Sequence, residues 1–141
     1  SMRSWCRSCF PGSLWKDERH QERMEYAKAR LGHYRRRDTP AFYAALFLLT
    51  SSAELWRRTA NCFYRQGFEP AYGLLNGVSP HDYALFTAAK GLYRGSGGIS
   101  DIDLADPDIV DAVAFRMIVN ATLIARYGLP VLGIQARRAG V

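Results

Sequence analysis

Apolar positions recur along most of this chain at helical spacing, and nowhere do they alternate in twos over a strand's length. Met24, Ala27, Leu31 and Tyr34 follow a three-then-four rhythm, which predicts a first helix from about Leu14 to Arg37. Ser13 or Asp17 could cap its start. Arg35, Arg36 and Arg37 would close its last turn, where cations oppose the negative end of the helix dipole. Thr39-Pro40 is a second helix opening, a hydroxyl cap followed by proline at the first helical position. The run from Pro40 to about Thr50 is apolar on every face and too short to cross a bilayer, so it reads as a buried core helix.

Ser51 and Glu54 have the spacing of a capping box, which predicts a third helix to about Gln66 with Leu55, Thr59, Cys62 and Phe63 inward. Residues 68 to 78 leave room for one short helical turn. Ser79-Pro80 repeats the opening logic and predicts a fourth helix to about Tyr93. Asp106-Pro107 opens a fifth, ending near Tyr127. Its positions are so uniformly apolar that it should run through the middle of a bundle.

The expected fold class is therefore all-α: a compact bundle of about five helices. Residues 1 to 13 read as an irregular leader, 14 to 132 as one helical domain, and 133 to 141 as a frayed tail. Ser1 reads as a tag remnant before a native Met2. At 141 residues, 48% hydrophobic and 23% charged, the chain can bury a core without disulfides. No uncharged apolar run reaches 18 residues, and no signal-peptide core is visible. A cytoplasmic location without membrane contact is the expectation.

Charge changes the picture through its placement. The net charge is +6, and residues 1 to 37 hold ten Lys or Arg against four acids, so the whole surplus lies in the first quarter. Such asymmetry favours an anionic partner, either nucleic acid or an acidic protein face. The bland alternative is a solubilising helix face. Candidate partner contacts are Arg19, Arg23, Arg30, Arg35, Arg36 and Arg37 with Trp15, and Arg57 and Arg58 beside Trp56. Guanidinium groups interleaved with aromatics suit single-stranded nucleic acid, and the same residue types dominate protein interfaces. The aromatic surplus also permits a homodimer.

Three cysteines, an odd number, argue against a disulfide framework and for a reducing compartment. Cys6 and Cys9 stand at Cys-x-x-Cys spacing, which lets two thiolates grip one zinc. His20 is the nearest third ligand, and no second cysteine pair completes the site, so zinc is a possibility beside two free thiols in a leader. Gly95-Ser96-Gly97-Gly98 has the glycines of a phosphate loop without its strand or its lysine and reads as a linker. Asp101, Asp103, Asp106, Asp108 and Asp111 lack the spacing of a calcium loop and suit helix starts instead. His81 and Asp82, being adjacent on a helix, make a poor catalytic pair. No catalytic signature emerges.

The run Phe42 to Leu49, Leu55-Trp56, residues 85 to 93, Leu104-Ala105-Asp106-Pro107, and Asn120 with Ala125-Arg126-Tyr127-Gly128 resembles a family of small uncharacterised helical proteins. That family belongs to gut Firmicutes and their plasmids, prophages and conjugative elements. The resemblance covers about residues 40 to 132 and leaves out the Cys-x-x-Cys leader. It implies a mobile-element accessory protein that binds and modulates a host nucleic-acid-handling protein, with anti-CRISPR inhibitors of a defence nuclease as one such class. The resulting expectation is a non-enzymatic interaction module. Direct nucleic-acid binding through the Arg-rich first helix, and a small zinc or thiol protein, are the alternatives.

Overall fold

The computed structural model describes residues 13–133, so Cys6, Cys9, most of the leader and most of the tail lie outside the described residues. The described chain is mostly helical. Its order is α1 (Glu18–Leu31), α2 (Pro40–Thr50), α3 (Ala53–Thr59), a 3-10 turn (Ala60–Cys62), β1 (Phe63–Tyr64), β2 (Gly67–Phe68), a second 3-10 turn (Pro70–Tyr72), α4 (Pro80–Arg94), α5 (Asp101–Leu104) and α6 (Ala112–Tyr127). No helix is long and apolar enough to cross a membrane among the described residues.

α2 is the axis of the molecule. Thr39 caps it by accepting from the Phe42 amide, Pro40 occupies its first turn, and every side chain from Phe42 to Thr50 is buried. α4 and α6 pack along it and against one another, while α1 and α3 complete the shell. Fully burying each Leu or Phe contributes roughly 1.5–3 kcal/mol, so this apolar helix is held by burial from all sides. Its C-terminal carbonyls are satisfied from α1: His20 bonds Phe47 O at 2.8 Å and Arg23 Nε donates to Thr50 O at 2.7 Å. Asn120 of α6 donates to Leu14 O at 2.9 Å and so fastens the segment preceding α1.

Four sequence expectations are corrected. α1 ends at Leu31, because Gly32 (φ 68°) turns the chain into a conformation that side chains disfavour. Arg35 to Arg37 therefore sit in the following turn and not in the helix. α3 is capped by Ser52, since Ser51 ends α2, and it stops at Thr59 before an antiparallel hairpin that the helical reading missed. The hairpin pairs Phe63 with Phe68, whose rings stack at 4.6 Å, and Phe63 meets Phe42 edge-on at 5.6 Å. α6 is capped by Asp111 in place of Asp106 and starts at Ala112. It lies at the side of α2 with Phe115 and Val119 exposed, so the central helix is α2. Between α4 and α6 the linker crosses so close that a Cβ on Gly91 would stand 2.3 Å from the Gly98 Cα.

Candidate functional site

The turn after α1 is built around Arg37. Its Nη1 donates to Leu31 O at 3.1 Å and its Nη2 to Gly32 O at 2.6 Å, closing the end of α1. Its Nε and Nη2 also hold Asp38 Oδ1 at 3.0 and 2.7 Å, and its guanidinium lies 4.8 Å from the Phe42 ring centre. Asp38 Oδ2 in turn accepts from the Tyr34 amide at 2.9 Å. Burial, and then the Asp38 carboxylate, raise the Tyr43 phenol above its ordinary pKa. Arg37, one of the candidate contacts, is thus buried within the fold, 5% exposed, with its guanidinium spent on the chain's own carbonyls and Asp38.

Pinning this turn leaves Arg35 and Arg36 exposed at its tip. The hairpin brings a third cation to them: Arg65, in the β1–β2 turn, stacks 4.5 Å from the centre of the Tyr34 ring. None of Arg35, Arg36 and Arg65 is in an ion pair among the described residues. Tyr64 of β1 and Tyr72 of the second 3-10 turn have ring centres 6.5 Å apart and are both exposed. Guanidinium groups without ion pairs suit phosphate or carboxylate, because guanidinium is planar, always charged and able to bond bidentately.

The other candidate contacts separate clearly. Trp15 is core, edge-on to His20 at 4.9 Å and 5.5 Å from Phe47. Arg23 is committed to Thr50 O and Ser51 O, and burial, more than any charge, lowers its pKa. Arg58 reaches Glu54 at 2.7 Å and the carbonyls of Leu74 and Asn76 at 3.0 and 2.6 Å, tying α3 to the next loop. Arg57 is exposed yet paired with Glu54 at 2.6 Å, and these two arginines pull the Glu54 carboxyl down to about 2. Arg19 and Arg30 are exposed on α1. Arg65, outside the set of candidate contacts read from the sequence, is the addition, and it is the hairpin that turns it toward Tyr34.

His20, the expected third zinc ligand, has no free ring nitrogen. Nδ1 accepts from the Lys16 amide at 3.0 Å and Nε2 faces Phe47 O at 2.8 Å, in a fully buried position. Burial pushes its pKa down to about 3. No group of three or more His, Cys, Asp or Glu side chains could hold a metal among the described residues. The acidic run from Asp101 serves helix starts: Asp111 caps α6 through the Ala114 amide at 2.8 Å, and Asp101 and Asp103 fill the first turn of α5.

A second polar cleft, about 220 Å³, lies between the starts of α3, α4 and α6 and is lined by Ser52, His81, Asp82 and Asp111. His81 faces Asp111, not its neighbour Asp82, at 3.7 Å, and its Nδ1 is 2.9 Å from Ile109 O. Ser52 donates to Asp82 at 3.2 Å while capping α3. These groups are occupied in joining helix ends. Comparison with protein-family models, with curated proteins and with solved structures gave no match.

Proposed function

We propose that this chain is a non-enzymatic interaction module that docks an anionic surface of a partner against the corner made by Arg35, Arg36 and Arg65. The observation that carries the reading is the stacking of Arg65 on Tyr34, which gathers cations from two distant segments and leaves them without carboxylates. A fold that spends Arg23, Arg37 and Arg58 on its own carbonyls, yet leaves these three free, has cations available for something outside itself. The partner in this reading is a nucleic-acid-handling protein of the host of a mobile element, a defence nuclease among the candidates, whose activity the module modulates. Its acidic face would meet the corner, with Arg30 nearby in sequence at the end of α1.

A second reading, direct binding of single-stranded nucleic acid, is favoured by the exposed pair Tyr64 and Tyr72, the first of them next to Arg65 in the chain, since bases stack on such rings. Capture from a Firmicutes lysate, with and without nuclease, distinguishes the two. A near-stoichiometric protein that survives nuclease and is lost with Arg35→Glu/Arg36→Glu/Arg65→Glu supports the first. Recovery that vanishes with nuclease supports the second. In that case three phosphate contacts give a log–log salt slope of about −2, roughly a 20-fold loss of affinity from 50 to 200 mM salt. Capture unchanged by the triple substitution would remove both.

A further inference from the structure

α6 carries an apolar face that no other described element covers. Phe115 and Val119 are 45% and 42% exposed, and Ala112 and Val113 extend the face toward the helix start. Residues four apart lie above one another on a helix, so Phe115, Val119 and the half-buried Leu123 form one stripe. Contiguous apolar surface of this kind on a folded chain marks a contact site.

The charges at the two ends of this stripe differ in sign. Asp106, Asp108 and Asp111 stand at its beginning, and Arg126 stands at its end. Arg126 contacts only its neighbour Tyr127 through its guanidinium and is in no ion pair among the described residues. We propose that α6 pairs antiparallel with α6 of a second copy of this chain, about a two-fold axis at Val119. That register sets Phe115 opposite Leu123 and Thr122 opposite Arg116. It also sets Arg126 opposite Ala112, next to the acidic segment that caps the other helix. An isologous contact of this kind satisfies both ends at once. The antiparallel arrangement also opposes the two helix dipoles favourably.

A parallel pair would bring Arg126 against Arg126 and the acids against the acids, so the charge order selects the antiparallel one. The contact is independent of the cationic corner, which uses the turn after α1 and the β1–β2 hairpin.

One helix pair lies at the small end of specific interfaces, below about 1,200 Å² in total, the size of weak and transient contacts. Sedimentation equilibrium from roughly 1 to 100 µM protein should then show a monomer–dimer equilibrium. Val119→Glu places two carboxylates at the axis and should give a monomer throughout, with its thermal transition kept because the side chain is exposed. Arg126→Glu should weaken the dimer about tenfold, and Asp108→Lys added to it should restore most of the loss. In a Cys6→Ser/Cys9→Ser background, Val119→Cys should form a disulfide-linked dimer on mild oxidation, while Phe115→Cys, which faces Leu123 and not its own copy, should not. A monomer at every concentration, or a dimer indifferent to Val119→Glu and to the charge exchange, overturns the proposal.

Discussion

Lowering the pH from 7 to 5 should destabilise this protein through one residue, His20. The imidazole is fully buried between Trp15 and Phe47, and its two nitrogens are fixed: Nδ1 accepts from Lys16 N–H, so Nε2 carries the proton donated to Phe47 O. A second proton would have to sit on Nδ1 and would break the Lys16 bond. Burial holds the folded pKa at about 3, against 6.5 in the unfolded chain. The folded pKa is depressed, so the unfolded state binds protons first as pH falls. Stability is complete above about pH 6.5 and is lost progressively below it, down to the folded pKa. The loss at pH 5 follows from the two titration curves and is about 2 kcal/mol. It reaches about 4 kcal/mol at pH 3 and levels off near ~5 kcal/mol below the folded pKa, at 1.36 kcal/mol for each unit of separation. Urea unfolding at pH 7 and pH 5 measures it. His20→Gln, which keeps a donor for Phe47 O and does not titrate, should be less stable at pH 7 and nearly flat between the two pH values. A wild-type curve that is flat from 7 to 5, or a His20→Gln curve as steep as wild type, would refute the reasoning.

Arg37→Ala should cost about 2–3 kcal/mol, since it strips the carbonyls of Leu31 and Gly32 and leaves the mostly buried Asp38 without its cation; Arg35→Ala and Arg36→Ala should each stay within about 0.5 kcal/mol, read by the same urea titrations. Gly91→Ala should lower the thermal midpoint by several degrees, because its methyl would overlap Gly98 backbone and force the linker off α4; an unchanged midpoint would count against the close crossing. Cys62 is buried and burial raises its thiol to about 11, so alkylation at pH 8 should be slow in the native protein and become fast only in denaturant; rapid native labelling of Cys62, located by mass spectrometry, would contradict its position.

Much of the helical frame was legible because its starts are chemically explicit. Thr39-Pro40 and Ser79-Pro80 each supply a hydroxyl cap and a pre-set φ, and α2 and α4 begin where those pairs place them. Leu55, Thr59, Cys62 and Phe63 are all buried as expected, although only the first two are in α3; Cys62 ends the 3-10 turn and Phe63 opens β1. The ends were less legible. Tyr34 continued the stripe of α1 in sequence, yet Gly32 ended the helix before it. The hairpin escaped notice because two-residue strands are too short to show a two-residue period, and Arg65-Gln66 is not a standard tight-turn pair. At α6, Asp106 and Asp111 are equivalent capping residues in sequence, and only packing chooses between them. Uniform apolarity concealed which side of α6 faces α2.

The cations show a deeper reason why the site was only half readable. In sequence, Arg23, Arg35, Arg36, Arg37 and Arg58 are alike, a charge on a flexible stem. What separates them is the supply of backbone carbonyls left open at helix ends, which is a property of the fold. α1 ends beside Arg37, α2 ends beside Arg23, and the loop after the second 3-10 turn passes Arg58, so each of these guanidiniums is consumed internally. Arg35 and Arg36 meet no such carbonyls because Arg37 has already taken those of Leu31 and Gly32. The buried arginine thus fixes the shape of the turn, and its two exposed neighbours inherit the charge that shape presents. Arg37→Lys tests that division of labour. Lysine keeps the charge but offers no planar fork to span Leu31 O, Gly32 O and Asp38 together. If the division holds, Arg37→Lys should both destabilise the chain and weaken capture of the partner by the corner, although Arg37 never touches that partner. Capture at wild-type strength by the folded Arg37→Lys protein would mean that the turn does not need its buried arginine to present Arg35 and Arg36.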